Sequence, residues 1–419
     1  GFNTALIQKK DADDVDFSSV FYLSLAIAGF LYFIIYFTAP GIASFYDDEI
    51  LIPVLRVLSL TLLFGALNSI QNALIARTLM FKKLFISSLG AILISGTFGL
   101  LAAYLGLGVW ALVIQQLTNQ ISISIIMWFT VKWRPKWVFS LSRVKTLFSY
   151  GWKLLVSSLL TTLYADLRTL IIGRIYTPTT LGYYHRGVQF PKTIVTNIDG
   201  SIQSVMLPTL SAHQDNKKRV SNMMRRAVMT SSFLIFPMMI GLAVVAEPLV
   251  KIVLTDKWLP AVPFLQIFAL SYSLHPIHTA NLQAINALGK SDIFLKLEII
   301  KKIIGLIILG ISLPFGVYAL AFGNLANGII STFVNAYPNK RLLGYSYKEQ
   351  WLDIMPSLLL ALAMGALVYL LNFLRLPTWQ VLAMQVCVGV VVYIGFAKIF
   401  KINSLNYLIL TVKQFFEKK

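Results

Sequence analysis

Long apolar stretches recur from one end of this chain to the other, each close to the ~20 residues that a helix needs to cross the hydrocarbon of a bilayer. They predict about twelve helical spans, over approximately 17–39, 51–76, 84–105, 109–131, 147–175, 179–210, 227–246, 260–288, 293–313, 316–336, 354–373 and 377–397. A helix satisfies its own backbone, as the bilayer interior demands, so the expected fold is an all-α polytopic membrane protein. The connections are short and leave no room for a folded domain outside the membrane. The basic segment 132–146 separates four spans, 1–131, from eight, 147–397, and a basic tail follows over 398–419. The segment reads as the linker of two lobes around a central cavity. The tail reads equally as an interfacial helix on anionic headgroups and as a solvated end.

The informative positions are the polar ones that a bilayer should exclude. An ionisable side chain at membrane depth costs about 2.5 to 3.5 kcal/mol on insertion scales, and such groups usually face a bundle interior or a wet cavity. In the sixth segment His185, Gln189, Lys192, Thr196, Asp199 and Gln203 recur at alternating steps of four and three. At 100° per residue they share one face, and Phe190, Ile194, Val195, Ile198 and Ile202 take the opposite side. This stripe predicts an internal aqueous path. The competing reading is a seam of interhelical hydrogen bonds. The fifth segment is polar over about half its circumference. Ser157, Thr161, Tyr164 and Arg168 form one row, Ser158, Thr162, Asp166 and Thr169 another, and leucines fill the remainder. Arg186 lies nearer the mouth of the same path, whereas Arg174 and Arg56 read as snorkelling side chains near span ends. The candidate substrate-binding residues are therefore Arg168, Arg186, Lys192, Gln189 and His185. Asp166 and Asp199 are the candidates for ion coupling, with structural pairing to Arg168 or Lys192 as the alternative.

Composition sharpens the picture. Hydrophobic residues make up 57% of the 419 and charged residues only 13%, against roughly a quarter charged in soluble domains, which excludes a soluble enzyme carrying one anchor. The net charge of +19 would elsewhere suggest nucleic acid. Here most of the 36 Lys and Arg fall in alternate connections, and the opposite ones hold only Lys251, Lys257 and Arg375. By the positive-inside rule both ends of the chain are expected in the cytoplasm. The single cysteine, Cys387, permits no intrachain disulfide. His275 and His278 are three apart, but Pro276 intervenes and no carboxylate or thiolate nearby in sequence completes a metal site. No Ser-His-Asp or paired-carboxylate arrangement is present, so neither enzyme, cofactor nor metal is expected.

Many spans, minimal loops and buried polar groups point to a transporter working by alternating access. Its cations slightly outnumber its acids, which leans toward an anionic substrate. Several short stretches resemble the Wzx-type polysaccharide and lipopolysaccharide flippases of the multidrug/oligosaccharidyl-lipid/polysaccharide (MOP) exporter superfamily. They are Gly1-Phe2-Asn3-Thr4-Ala5-Leu6-Ile7-Gln8-Lys9-Lys10, Ile171-Ile172-Gly173-Arg174 with Leu181-Gly182-Tyr183-Tyr184, Leu207-Pro208-Thr209-Leu210-Ser211, Asp256-Lys257-Trp258, and Ala287-Leu288-Gly289-Lys290-Ser291-Asp292. The resemblance implies fourteen helices in two lobes, about two of them preceding Gly1. It also implies an undecaprenyl-pyrophosphate-linked oligosaccharide as substrate, moved from the inner to the outer leaflet of the bacterial inner membrane. The partners it implies are that lipid-linked oligosaccharide, membrane lipid, Na+ or H+ as coupling ion, and other polysaccharide-assembly proteins. A cation-coupled drug exporter of the same superfamily and a membrane-embedded polymerase or ligase are the alternatives.

Overall fold

The computed structural model describes Leu6 and residues 12–409 other than 79, 212, 214, 375 and 403. The rest of the opening motif, the end of the basic tail and the side chains of Ser157, Ser158 and Thr161 lie outside the described residues. Among the described residues the regular structure is helical throughout, as expected of a polytopic membrane protein. Internal contacts divide the chain into two units, one ending at Leu167 and the other beginning at Arg168.

The first unit opens with α1 (Asp14–Tyr46), whose start is set by a reciprocal cap. The Asp13 carboxylate accepts from the backbone of Asp16, and the Asp16 carboxylate accepts from the backbone of Asp13. The predicted span 51–76 is instead two helices, α2 (Leu51–Leu58) and α3 (Thr61–Thr78). The reason is local: Ser59 and Thr61 direct their hydroxyls to the carbonyls of Arg56 and Leu58, in competition with the helical ladder. α4 (Phe81–Tyr104) and α5 (Val109–Thr130) follow, joined by a turn in which Gly106 and Gly108 take positive φ. A Cβ added at Gly99 would stand 2.9 Å from that of Gln115, so this glycine allows the close approach of the pair. Neutral polar residues in these helices meet one another. Asn68 donates to Ser124 at 2.8 Å and Asn119 to Ser95 at 3.1 Å. The basic segment after α5 is held to the acidic start of α1 by Lys136–Asp14 at 2.6 Å and by Arg143 with Asp13 and Asp16 at 3.4 and 3.5 Å. α6 (Leu141–Ile175) runs across the division between the units.

The second unit continues with α7 (Pro178–Ser211), α8 (Lys217–Val244), the short α9 (Ala246–Leu254), α10 (Val262–Ser273), α11 (His275–Ala287), α12 (Ser291–Ser312), α13 (Val317–Leu343), α14 (Tyr347–Leu370) and α15 (Thr378–Ile399). Its core gathers on α8: Val228, Phe233, Phe236 and Ile240 pack with Ile354, Ala361 and Met364 of α14. The Tyr393 hydroxyl of α15 donates to the carbonyl of Phe233. The predicted span 260–288 is broken at Leu274 into α10 and α11. Pro276 stands in the first turn of α11, where its missing N–H removes nothing that a helix start would use, but where it cannot continue α10.

Eight helical segments among the described residues are long and apolar enough to cross a membrane: α1, α2 with α3, α4, α5, α8, α13, α14 and α15. Of the helices outside this group, α6, α7, the broken pair α10–α11 and α12 hold most of the ionisable residues within predicted spans.

Candidate functional site

One side of α7 is built for close packing. A Cβ at Gly187 would lie 2.4 Å from the Cβ of Phe264, so glycine is what lets α7 reach α10 there. Tyr184 is buried edge-on against Phe264 and Phe268, and Val195 is buried among Ile235, Met239, Leu265 and Ala269 of α8 and α10. The other side of α7 is exposed and polar. It presents His185, Arg186, Gln189, Lys192, Thr193, Thr196, Asn197 and Gln203. A helix of this length rises about 50 Å, and Lys192 stands near its middle. Lipid is a poor solvent for such a face.

Within it, Arg186 donates to the Gln189 side-chain oxygen at 2.7 Å and lies over the Trp258 ring at 5.7 Å. Two of the predicted site residues are thus in direct contact. Lys192 has no carboxylate within reach among the described residues, and the Thr196 hydroxyl donates to its carbonyl. Arg168, on α6, is partly buried, and its charge acts on the phenol of Tyr184. His185 is exposed, as is Asp166 on the part of α6 that belongs to the first unit.

Asp199 is placed differently from the rest of the stripe. It is buried, and its Oδ2 accepts from His275 Nδ1 at 2.5 Å and from the Thr279 hydroxyl at 2.9 Å, both on α11. Its Oδ1 is buried and has no hydrogen-bond partner among the described residues. At 100° per residue Asp199 falls at one margin of the polar arc, beside buried Val195, and α11 covers that margin. The exposed face of α7 therefore carries Arg186 and Lys192 without an acid of its own. Gln203, further along, accepts from Gln283 of α11 at 3.1 Å.

Periodicity did not single out the partners on α11. His275 stacks on Tyr272 at 5.4 Å, and His278 hydrogen-bonds Asn335 of α13 at 3.0 Å. Below them Asn281, Gln350 and Asn339 form a buried amide cluster that joins α11, α14 and α13. The available signal was a histidine beside a proline in the middle of an apolar stretch. No group of three or more His, Cys, Asp or Glu able to hold a metal occurs among the described residues. A cavity of about 490 Å³ lies elsewhere, at the start of α8, with Lys218, Arg219, Asn222 and Arg226 in its wall.

Comparison with known proteins places this arrangement in context. Residues 1–263 match the family described as "Polysaccharide biosynthesis protein". The teichuronic acid biosynthesis protein TuaB of Bacillus subtilis is 28% identical over 295 residues, 70% of this chain and 61% of the relative. The succinoglycan biosynthesis transport protein ExoT of Rhizobium meliloti is 24% identical, over 65% of this chain and 55% of its own. The lipopolysaccharide biosynthesis protein WzxC of Escherichia coli is 22% identical over 87% of this chain and 76% of its own. The chain thus spans about three fifths of the first two relatives. Among solved structures, the lipid II flippase MurJ in an inward closed conformation superposes with a TM-score of 0.79 at 17% identity, over 95% of this chain and 87% of that one, which shows a shared fold. The chain belongs to the polysaccharide biosynthesis protein family, the Wzx-type group of the MOP exporter superfamily that its motifs resemble.

Proposed function

We propose that this chain works as a flippase, carrying an undecaprenyl-pyrophosphate-linked oligosaccharide from the inner to the outer leaflet of the bacterial inner membrane by alternating access. The observation that carries the reading is the exposed face of α7, polar along its length and cationic at Arg186 and Lys192. Cations at membrane depth with no protein counter-charge favour an anionic guest, and phosphate oxygens are good acceptors for guanidinium and ammonium donors. Gln189, Thr193, Thr196 and Asn197 supply the hydrogen bonds that sugar hydroxyls need, while the lipid tail stays in hydrocarbon. Arg168, adjoining α7 through Tyr184, adds a third cation to the substrate's phosphate groups. His185 lies on the same face beside Arg186 and Gln189. The names of the relatives, which include a transport protein, agree with transport rather than catalysis.

In this reading both ends of the chain are cytoplasmic, and the basic connections face the cytoplasm, where the positive-inside rule puts them. Asp166, exposed on α6, and Asp199, buried on α7, are the two candidates for coupling with a sodium ion or a proton. The test is cell-surface glycan export in a strain complemented with the full-length protein. Lys192→Ala and Arg168→Ala are expected to lose export at normal abundance. Arg168→Lys would retain part of it if a point charge suffices, and would fail if Arg168 clamps phosphate bidentately. Normal export by both alanine variants would overturn the reading.

A further inference from the structure

Asp199 and His275 pose a problem that the substrate reading does not solve. A carboxylate is buried midway along α7, inside a protein that spans a membrane, and its nearest candidate counter-charge is an imidazole. As a carboxylate it can only accept, so both hydrogen bonds to Oδ2 are donated to it, by His275 Nδ1–H and by the Thr279 hydroxyl. With Nδ1 carrying its hydrogen, a neutral imidazole has Nε2 free, and the pair then holds one net negative charge away from water. One proton added at Nε2 turns the imidazole into an imidazolium and the pair into a neutral ion pair. A buried ion pair costs less than a lone buried charge.

The setting favours proton traffic. The His275 side chain is 39% exposed, whereas that of Asp199 is 5% exposed, so the imidazole is the more accessible member of the pair. The pair also joins two elements: α7, which carries the polar face, and the first residue of α11, where the predicted span breaks at Leu274 and Pro276. A contact at a helix break is one that can be remade when the flanking segments shift.

We propose that Asp199 and His275 form a proton-binding site that ties the protonation state of the second unit to the junction between α7 and the α10–α11 break. This rests on the transport reading for its consequence, proton-coupled substrate movement. The bound ion is a proton rather than sodium because both hydrogen bonds at Oδ2 turn a donor toward the carboxylate. Those donors occupy the oxygen that a metal ion would need and leave Oδ1 as a single ligand.

The other groups around the pair are few. Tyr272 of α10 stacks on His275, and His278 of α11 meets it edge-on at 6.0 Å. Lys301 of α12 acts on His278 and is itself paired with Glu298 at 2.5 Å. α8 carries its charges only over Lys217–Arg226. α13 carries charge only at Lys340 and Arg341, and its titratable tyrosines are Tyr318 and Tyr337. Asn335 of α13 faces His278 with a neutral amide.

The test is infrared difference spectroscopy on the purified full-length protein in zwitterionic nanodiscs, recorded between acidic and alkaline buffer with choline as the only added cation. The expected spectrum contains an imidazole band and a carboxylate band that change together. His275→Gln removes the first and displaces the second, and Asp199→Asn removes the carboxylate band. The other histidines, His185, His213 and His278, are assigned by their own Gln variants. Replacing choline with sodium at constant pH should change nothing. Circular dichroism checks that the variants remain helical. If the Asn variant is not recovered, Asp199→Glu serves instead: its carboxylate band should persist at a displaced frequency. Glycan export is then measured for the same variants, with loss expected.

Variant spectra that superimpose on the wild type would overturn the proton site, and a sodium-induced shift of the Asp199 band would replace it with a sodium site. Normal export by Asp199→Asn and His275→Gln would overturn the coupling. Failure of the transport reading is seen separately, as normal export by the Lys192 and Arg168 variants, and leaves the spectra unchanged.

Discussion

α4 and α7 use polar residues in opposite senses. In α4 Ser87 and Ser95 turn inward, Ser95 toward Asn119 of α5, and the outer surface is mostly apolar, with Ile92, Leu93 and Leu100 exposed. In α7 the aromatic and aliphatic side chains are buried against α8 and α10, and the exposed surface is polar and cationic. Both helices are exposed on one side, so exposure alone does not say what solvent they meet. The chemistry of the exposed atoms does: α4 is dressed for hydrocarbon and α7 for water. An apolar surface has no driving force to leave lipid, whereas an unpaired cation has a large one.

Five substitutions would break or sharpen this contrast. The largest effect is expected from placing a cation on the lipid-dressed side. Leu93→Lys at the centre of α4 should cost about 2.5 to 3.5 kcal/mol of insertion free energy, seen as loss of membrane-integrated protein in a glycosylation-mapping assay. Normal integration would mean that this side of α4 faces water. Next is Gly187→Val on the packed side of α7. A Cβ would meet Phe264 at 2.4 Å and the backbone of Leu265 at 2.8 Å, so the helices must part, at a cost of about 1 to 3 kcal/mol, read as a lowered midpoint of thermal unfolding in detergent.

Outside the spans, Tyr345→Phe removes the hydroxyl that donates to Asp353 at 2.7 Å while Arg225 holds the same carboxylate at 2.6 Å. Hydrogen bonds to charged groups contribute about 1.5 to 3 kcal/mol, and retention of Arg225 places this variant at the lower end. Burial and the Asp353 charge raise the Tyr345 pKa above its usual value. A raised pKa adds stability below the unfolded-state value and loses it as pH rises through the folded one. The stability difference between Tyr345→Phe and the wild type should therefore narrow in alkaline buffer.

The smallest effect is expected for Asn68→Ala. The hydrogen bond to Ser124 should be worth about 0.6 kcal/mol in a double-mutant cycle, the average for interhelical pairs in a membrane protein. Lys192→Leu completes the comparison from the other side. It should leave thermal stability unchanged or raise it while abolishing glycan export, whereas a fall in stability would show that Lys192 is structural.

Much of this molecule was legible in one dimension. Whether a stretch enters a bilayer depends on the summed transfer free energy of its side chains, which is independent of its neighbours, so the apolar segments, the helical class and the polar stripe of α7 could be read directly. Periodicity likewise separated Phe190, Ile194 and Val195 from Gln189, Lys192 and Thr196, because both sets obey the same 100° rule. The two helix breaks were carried by weaker local signals, the hydroxyls of Ser59 and Thr61 and the proline at 276, and hydropathy averages pass over them. The tertiary structure alone decided which polar residue meets which. Asp199 shares its arc with Lys192, but helix angle does not specify what packs at the margin of the arc. The partners His275 and Thr279 are more than seventy residues away, and only the folding of α11 against α7 brings them to the carboxylate.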